Sequence, residues 1–559
     1  MMHVPARLAP LAMLVSLACN AGSTAQGGDG TDEGASSDPT NTGSGAGSEG
    51  SDGTGVADDS GGESGTPAGD VPARGLRIAL VEANPGVAIP VARDGAWVGG
   101  GERNAPIVKG RDTAFRVYVD IDEAVWVPRD IEARITVTQP DAREAKSSVI
   151  VNVDQDSSVT SLQSNFLLGV LAEDMQPGAK FQVELFEAGD GWQSLPEPAT
   201  PPRAIDAGAD FIGVEGTEQT MKLVIVPVAY DFGGCQSTPD LTTEALQPYE
   251  DAMYQQNPLE HIEIEVRAPL PVSDLDLTDS NDFFALLNRV VQLRAQDGPE
   301  PNVYYYGLFD NCGACIGEGG GCLLGVAPGT PGSSQGEASQ RAAIGVRYLS
   351  GSEVGIETFV HEIGHTQGRA HVACPSAQSA GPDPSYPYEG GSIGVWGFGV
   401  RDFSIHNPSN HTDYMSYCNP TWVSDWQWNA TFKRIQALTE WDALKVAPPQ
   451  TTILVGTLNP ETGESNFWTE RGFVEPQDTA GSPHTLALVA GDIDLHSTAA
   501  DVDAWSEGPW VTVRANLPAE AMIAGSDAFE LRMPERTARI ARERVRFDLA
   551  ASMRTPAGE

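Results

Sequence analysis

The chain has 559 residues, too many for one ordinary core, and its length predicts roughly two to four domains. Hydrophobic residues make up 40%, enough to fill them, and the formal net charge is -43. That charge excludes nucleic acid and makes an anionic membrane surface a poor partner, because phosphates would be repelled.

Taken in chain order, residues 1–19, "MMHVPARLAPLAMLVSLAC", carry Arg7, an apolar run from Leu8 to Ala18, and Cys19. This is the layout of a bacterial export signal, and the run is too short to span a bilayer as a mature helix. "SLAC" resembles the lipobox of bacterial lipoproteins, with Ser16 where that box prefers an aliphatic residue. The resemblance implies lipidation of Cys19 and an anchor at the outer membrane or cell surface; without it the protein would be secreted. Residues 20–72 contain no Lys or Arg and almost no large apolar side chain. Such a segment cannot bury enough surface to offset its ordering entropy, so it reads as a disordered acidic tether.

Residues 74–215 show short alternating runs between turn signals, "LRIALVEA", "TAFRVYVDI", "EARITVTQ", "SSVIVNV" and "KFQVELFEA". They predict a β-sandwich with no clustered catalytic residues. Residues 218–446 change character. Strands "MKLVIVPVAY", "IEIEVRAPL", "NVYYYGLF", "CLLGVAPG" and "AAIGVRYL" alternate with helices over "TTEALQPYEDAMYQQN" and "SNDFFALLNRVVQLRAQ", the second capped by its Ser or Asn. A further helix is expected from about 353 to 367. The pattern is that of a mixed α/β domain. Residues 450–559 return to strands ("TTILVGTL", "HTLALVAGD", "PWVTVRANL", "FELRMP", "ERVRFDLA") and suggest a second β-sandwich-like domain. The chain as a whole is therefore expected to be α+β, and the basic stretch "ERTARIARERVRF" a solvated strand and turn.

Apart from Cys19, the cysteines are Cys235, Cys312, Cys315, Cys322, Cys374 and Cys418. An even number in an exported protein implies up to three disulfides, all in the middle of the chain. "CGAC" at 312–315 has Gly-rich flanks and no second CxxC, which favours a disulfide-bonded loop over half a zinc site.

The chemistry concentrates in "HEIGHTQGRAH", residues 361–371. On a helix His361 and His365, four apart, share a face and can point two imidazoles at one ion. Glu362 lies about 100° round the helix from His361, badly placed as a ligand but well placed to touch a water on the metal. Gly368 can adopt the left-handed conformation that ends a helix and turns the chain, returning His371 as third ligand. Three nitrogens leave a position open, as catalytic zinc requires. His406 and His411 read as loop residues, and Asp413 as a brace for the turn that follows. The carboxylate count would suit Ca2+, but no complete calcium-loop motif supports it.

HEIGHTQGRAH fits HExxHxxGxxH and so resembles the metzincin zinc endopeptidases. The resemblance spans roughly residues 221 to 435. "DYMSYC", 413–418, supplies Met415 where that family has a methionine turn beneath the metal, and Tyr417 where some members place an oxyanion-stabilising tyrosine. "YPYEGGSIGVWGF" and "DYMSYCNPTWVSDW" further resemble secreted bacterial members related to mucin-cleaving endopeptidases. The resemblance implies one catalytic zinc, a metzincin-like catalytic domain and a protein, peptide or glycoprotein substrate. If the segments after His371 and Met415 meet under the metal, Cys374 and Cys418 come close enough to bond. The other four cysteines then allow three connectivities that the sequence does not rank. The substrate would lie along an exposed edge strand, "CLLGVAPG". Two rival expectations remain: a tethered adhesion protein with a catalytically silent zinc domain, and hydrolysis of a non-peptide amide or glycan. No separate carboxylate pair supports the latter.

Overall fold

The computed structural model describes residues 71–316, 322–347, 354–375, 377, 379, 381–444 and 451–547. The export signal, Cys19 and the acidic tether lie outside the described residues. Residues from Pro72 onward form one compact unit. It is a mixed α+β assembly of several sheets.

The first layer pair is built by alternation. Arg129–Thr138 buries every second side chain, the period of a strand with one face in the core. It lies in a four-stranded antiparallel sheet with Glu144–Val153, Lys180–Glu187 and Asp210–Phe211. A five-stranded sheet contains Leu76–Asn84, Thr113–Ile121 and Phe166–Val170. The two share a core in which the rings of Phe115 and Phe181, one from each sheet, approach to 5.9 Å. Two sheets are thus packed face to face on one core.

In the central region, Thr220–Phe232 runs parallel to Val303–Phe309, which runs parallel to Ala342–Val346. Gly325–Val326 closes that edge in antiparallel register. "IEIEVRAPL" is two short strands, His261–Val266 and Leu270–Val272, both parallel to Thr220–Phe232. Helices α1 (Thr243–Gln256), α2 (Ser280–Asp297) and α3 (Val354–Thr366) accompany the sheet, and α4 (Asp425–Leu444) follows the site. The cap of α2 is Asp279, one residue before the expected Ser or Asn, and its carboxylate accepts from the backbone of Asn281 and Asp282. Phe359 seats α3, meeting Tyr249 of α1 and Tyr306 of the sheet edge-on at 5.4 and 4.8 Å.

The C-terminal strands form a five-stranded sheet that includes Thr451–Leu458, Asp501–Ala504 and Val511–Asn516, and a four-stranded one that includes Thr485–Ala490 and Ala528–Arg532. Leu454, Phe467 and Val513 share a core with Leu488, Phe529 and Leu531. Within the basic stretch, Thr537–Ala541 is a strand and only Val545–Arg546 pairs beyond it.

Three disulfides join Cys235–Cys312, Cys315–Cys322 and Cys374–Cys418. "CGAC" thus belongs to two different bridges, and the bond between Cys374 and Cys418 forms as expected. Such bonds fit an oxidising compartment outside the cytoplasm. Among the described residues no helix is long and apolar enough to cross a membrane.

Candidate metal centre

Helix α3 carries His361, Glu362 and His365, all buried. Gly368 then takes φ +80°. Its amide donates to His365 O at 2.7 Å and Arg369 N donates to Gly364 O at 3.0 Å, which satisfies the last carbonyls of the helix and reverses the chain. That reversal brings His371 back beside the other two. A Cβ at Gly368 would also strike Pro331 O at 2.6 Å, so the position is closed to other residues on steric as well as conformational grounds.

The three imidazoles converge. His365 Nε2 lies 3.1 Å from both His361 Nε2 and His371 Nε2. Nδ1 of His361 donates to Tyr414 O and Nδ1 of His365 to Arg369 O, each at 2.8 Å. A carbonyl can only accept, so the proton of each ring sits on Nδ1 and each Nε2 carries a bare lone pair. Two such lone pairs 3.1 Å apart repel unless a cation lies between them. A metal 2.0–2.1 Å from each nitrogen at tetrahedral angles would separate them by about 3.3 Å. The donor set therefore fits a metal ion, and these three histidines are the one such group found among the described residues.

Electrostatics agree. Burial, reinforced by neighbouring His371, pushes His361 down to about 3, and burial pushes His365 well below its usual range, so both stay neutral. Burial, with the charge of Glu507 added, raises Glu362 well above the carboxylate range. Its Oε2 is buried without a hydrogen-bond partner. A buried carboxylate oxygen without a partner is rare and calls for a ligand or a role to account for it.

Beneath the cluster, Met415 is fully buried against α3, and a Cβ on Gly364 would collide with its sulfur. Val372 N donates to Met415 O at 2.8 Å, tying the loop after His371 to this turn, and the Cys374–Cys418 bond ties them again. Asp413 braces the turn as expected: its carboxylate accepts from the amides of Met415 at 2.9 Å and Ser424 at 3.2 Å. His406 and His411 stand apart, His406 stacked on Trp422 with ring centroids 3.6 Å apart.

Tyr417 is half-exposed, and its hydroxyl lies 2.8 Å from His371 Nε2. The same hydroxyl donates to Glu507 Oε1, which is itself 3.5 Å from His371 Nε2. Burial raises Glu507 to about 7. The sequence gives no reason to place Glu507 here: "AWSEGPW" reads only as a turn between two strands. Neither is the edge strand exposed where it was expected to be. It covers only Gly325–Val326, and the next residue, Ala327, already bonds to Ser506 of the C-terminal domain.

No protein-family model and no curated protein matches the chain. Among solved structures it has some likeness to a protein described as a β-galactosidase from Bacteroides fragilis, at 10% identity and a TM-score of 0.13, covering 85% of this chain and 73% of that one. A calcium-binding mutant of Bacteroides uniformis β-glucuronidase 2 gives the same identity and TM-score, with 85% and 61% covered. At such TM-scores the likeness says nothing about fold or activity.

Proposed function

We propose that the protein is a zinc-dependent endopeptidase of metzincin type, acting on protein or glycoprotein substrates outside the cytoplasm. One observation carries this reading: the bare Nε2 atoms of His361 and His365 meet at 3.1 Å, with His371 Nε2 equally close to the second, beside a buried glutamate whose second oxygen has no partner. The sequence pattern HExxHxxGxxH and the methionine beneath the cluster support it.

His361, His365 and His371 would hold the ion, which when bound supplies Lewis acidity that activates water and polarises a scissile carbonyl. Glu362 takes the proton from the attacking water and returns it to the leaving amine. Tyr417 donates its hydroxyl hydrogen to the developing oxyanion. The carbonyls of Tyr414 and Arg369 fix two of the rings through Nδ1, so that neither can turn its lone pair away. A lipid on Cys19 and the acidic tether would hold this machinery outside the cell.

The test is cleavage of a diverse peptide library by the natural chain and by the Glu362→Ala variant, with zinc measured in both. Equal zinc and a rate loss of at least about 10^3-fold on losing Glu362 are expected. Undiminished cleavage without Glu362 would remove the mechanism.

A further inference from the structure

Helix α2 carries a stripe of amides where it faces the C-terminal domain. Asn281, Ala285, Asn288 and Gln292 recur at the spacing of one helix face. A face covered by another domain is ordinarily apolar, yet Asn288 and Gln292 are only 6% and 5% exposed. Across from them stand Trp510 and the ends of two paired strands, Ser465–Gly472 and Val545–Arg546. The space between is a cleft of about 600 Å3, a size that suits a small ligand. None of the three histidines lines it.

Apart from Ala285 and Trp510, every residue lining the cleft carries a polar side chain. Two polar groups in its wall are unmatched. The carboxamide oxygen of Asn288 and the indole N–H of Trp510, a residue 7% exposed, are buried without a hydrogen-bond partner. Leaving such a group unpaired costs about 1–3 kcal/mol. One is an acceptor and the other a donor, so a ligand that satisfies both must give and take hydrogen bonds. The wall that presents them is firm: Trp510 stacks on Trp505 at 5.6 Å, and Trp505 meets Phe284 of α2 edge-on at 5.9 Å.

Charge narrows the ligand further. Asp282 and Glu464 line the cleft together with Arg544 and Arg546, two exposed residues of the basic stretch. An anion would meet the carboxylates, a cation would meet the guanidiniums, and an apolar molecule would strand the amides. A neutral molecule rich in hydroxyls suits them all, because each hydroxyl donates one hydrogen bond and accepts two. We propose that this cleft is a binding site for a neutral saccharide. Asn288 and Gln292 take its hydroxyls from the helix side. Trp510 supplies an apolar contact for the C–H side of a sugar ring and an N–H for one of its oxygens. The site does not depend on whether the three histidines hold a metal.

The test applies the full chain to an array of neutral, sialylated and sulfated glycans. The best neutral glycan is then titrated by calorimetry into the natural protein, Asn288→Leu, Gln292→Leu and Trp510→Phe. Neutral glycans are expected to bind, and each variant to weaken that binding by at least about tenfold. Asn288→Leu replaces an unmatched acceptor by an apolar group of similar size, so its melting temperature should not fall. A fall would make that amide structural and remove it from the site. Should Trp510→Phe disturb the stack on Trp505, the two α2 variants carry the test. Binding left unchanged by both α2 variants, a preference for the charged glycans, or no binding to any glycan would each overturn the assignment.

Discussion

The two sandwiches meet the central domain in different ways. At the N-terminal junction the contact is a rivet. Arg111, fully buried, donates to Pro85 O of its own domain and to Tyr254 O, Asn257 O and Leu259 O at the end of α1 and just beyond. Its guanidinium lies over the Tyr254 ring at 4.1 Å and the Trp428 ring at 5.2 Å. Trp428 Nε1 and Trp422 Nε1 donate to Pro106 O and Gly86 O, adding cross-domain bonds. Every acceptor in this set is a backbone carbonyl, and none is a residue of the metal centre. At the C-terminal junction some bonds likewise brace the frame, Gln340 Nε2 to Asp503 Oδ2 at 2.8 Å and Ser334 Oγ to Asp478 Oδ2 at 3.1 Å, but others run to Ala327 and Pro328 beside the short edge strand and to Tyr417 beside the histidines. Two domains of similar architecture thus meet the centre differently, one gripping only the frame and the other also reaching residues beside the histidines.

Each junction can be tested by removing one of its side chains. Arg111→Ala should have the largest effect on stability, about 4 kcal/mol, because several buried carbonyls lose their donor at once and a cavity opens between the rings. Urea unfolding would measure it. Zinc content and cut sites should be unchanged in the folded fraction, and a change in cut sites would mean that this junction also shapes the cleft.

A smaller effect belongs to the centre itself. In the metal-free protein His361 stays neutral down to about 3, whereas in the unfolded chain it protonates near its ordinary value of 6.5. The unfolded state therefore binds the extra proton between those values. Stability is fully present above pH 6.5 and is lost as the pH falls toward 3, by about 2 kcal/mol at pH 5 from this group alone. Melting of the metal-free protein at pH 7 and pH 5 should show this loss, with a shallower one in His361→Gln. Parallel behaviour of the two proteins would contradict it.

The smallest effect should come from Ser506→Ala, which removes one acceptor from Ala327 N and costs about 1 kcal/mol. Its use lies in the contrast with Arg111→Ala. The serine variant should leave the melting temperature nearly unchanged, whereas the arginine variant should lower it by many degrees.

The metal cluster was legible in the sequence because its parts are local. His361 and His365 are one helical turn apart, Gly368 follows at the helix end, and His371 returns within the same short loop. Met415 and the Cys374–Cys418 bond were legible once that loop was taken to meet the "DYMSYC" turn. The position of Glu507 was not. It comes from another domain, and only the packing of Trp505 on Phe284 sets where the turn lands, a contact that no periodicity or spacing encodes. The edge strand misled for the same reason. Its apolar run marks a strand, but whether solvent or another domain covers that strand is decided by tertiary structure. The cap of α2 was missed by one residue because Asp279, Ser280 and Asn281 are all competent caps, and the aspartate sits where its carboxylate reaches two free amides.

The proposed activity depends on the three histidines holding an ion. Zinc per chain, measured by elemental analysis after exhaustive dialysis, on the natural protein and on His361→Ala and His371→Ala, tests it most directly. One zinc in the natural chain and at most about a tenth as much in each variant is the expected result. No zinc in the natural chain, or an undiminished amount in both variants, would contradict it.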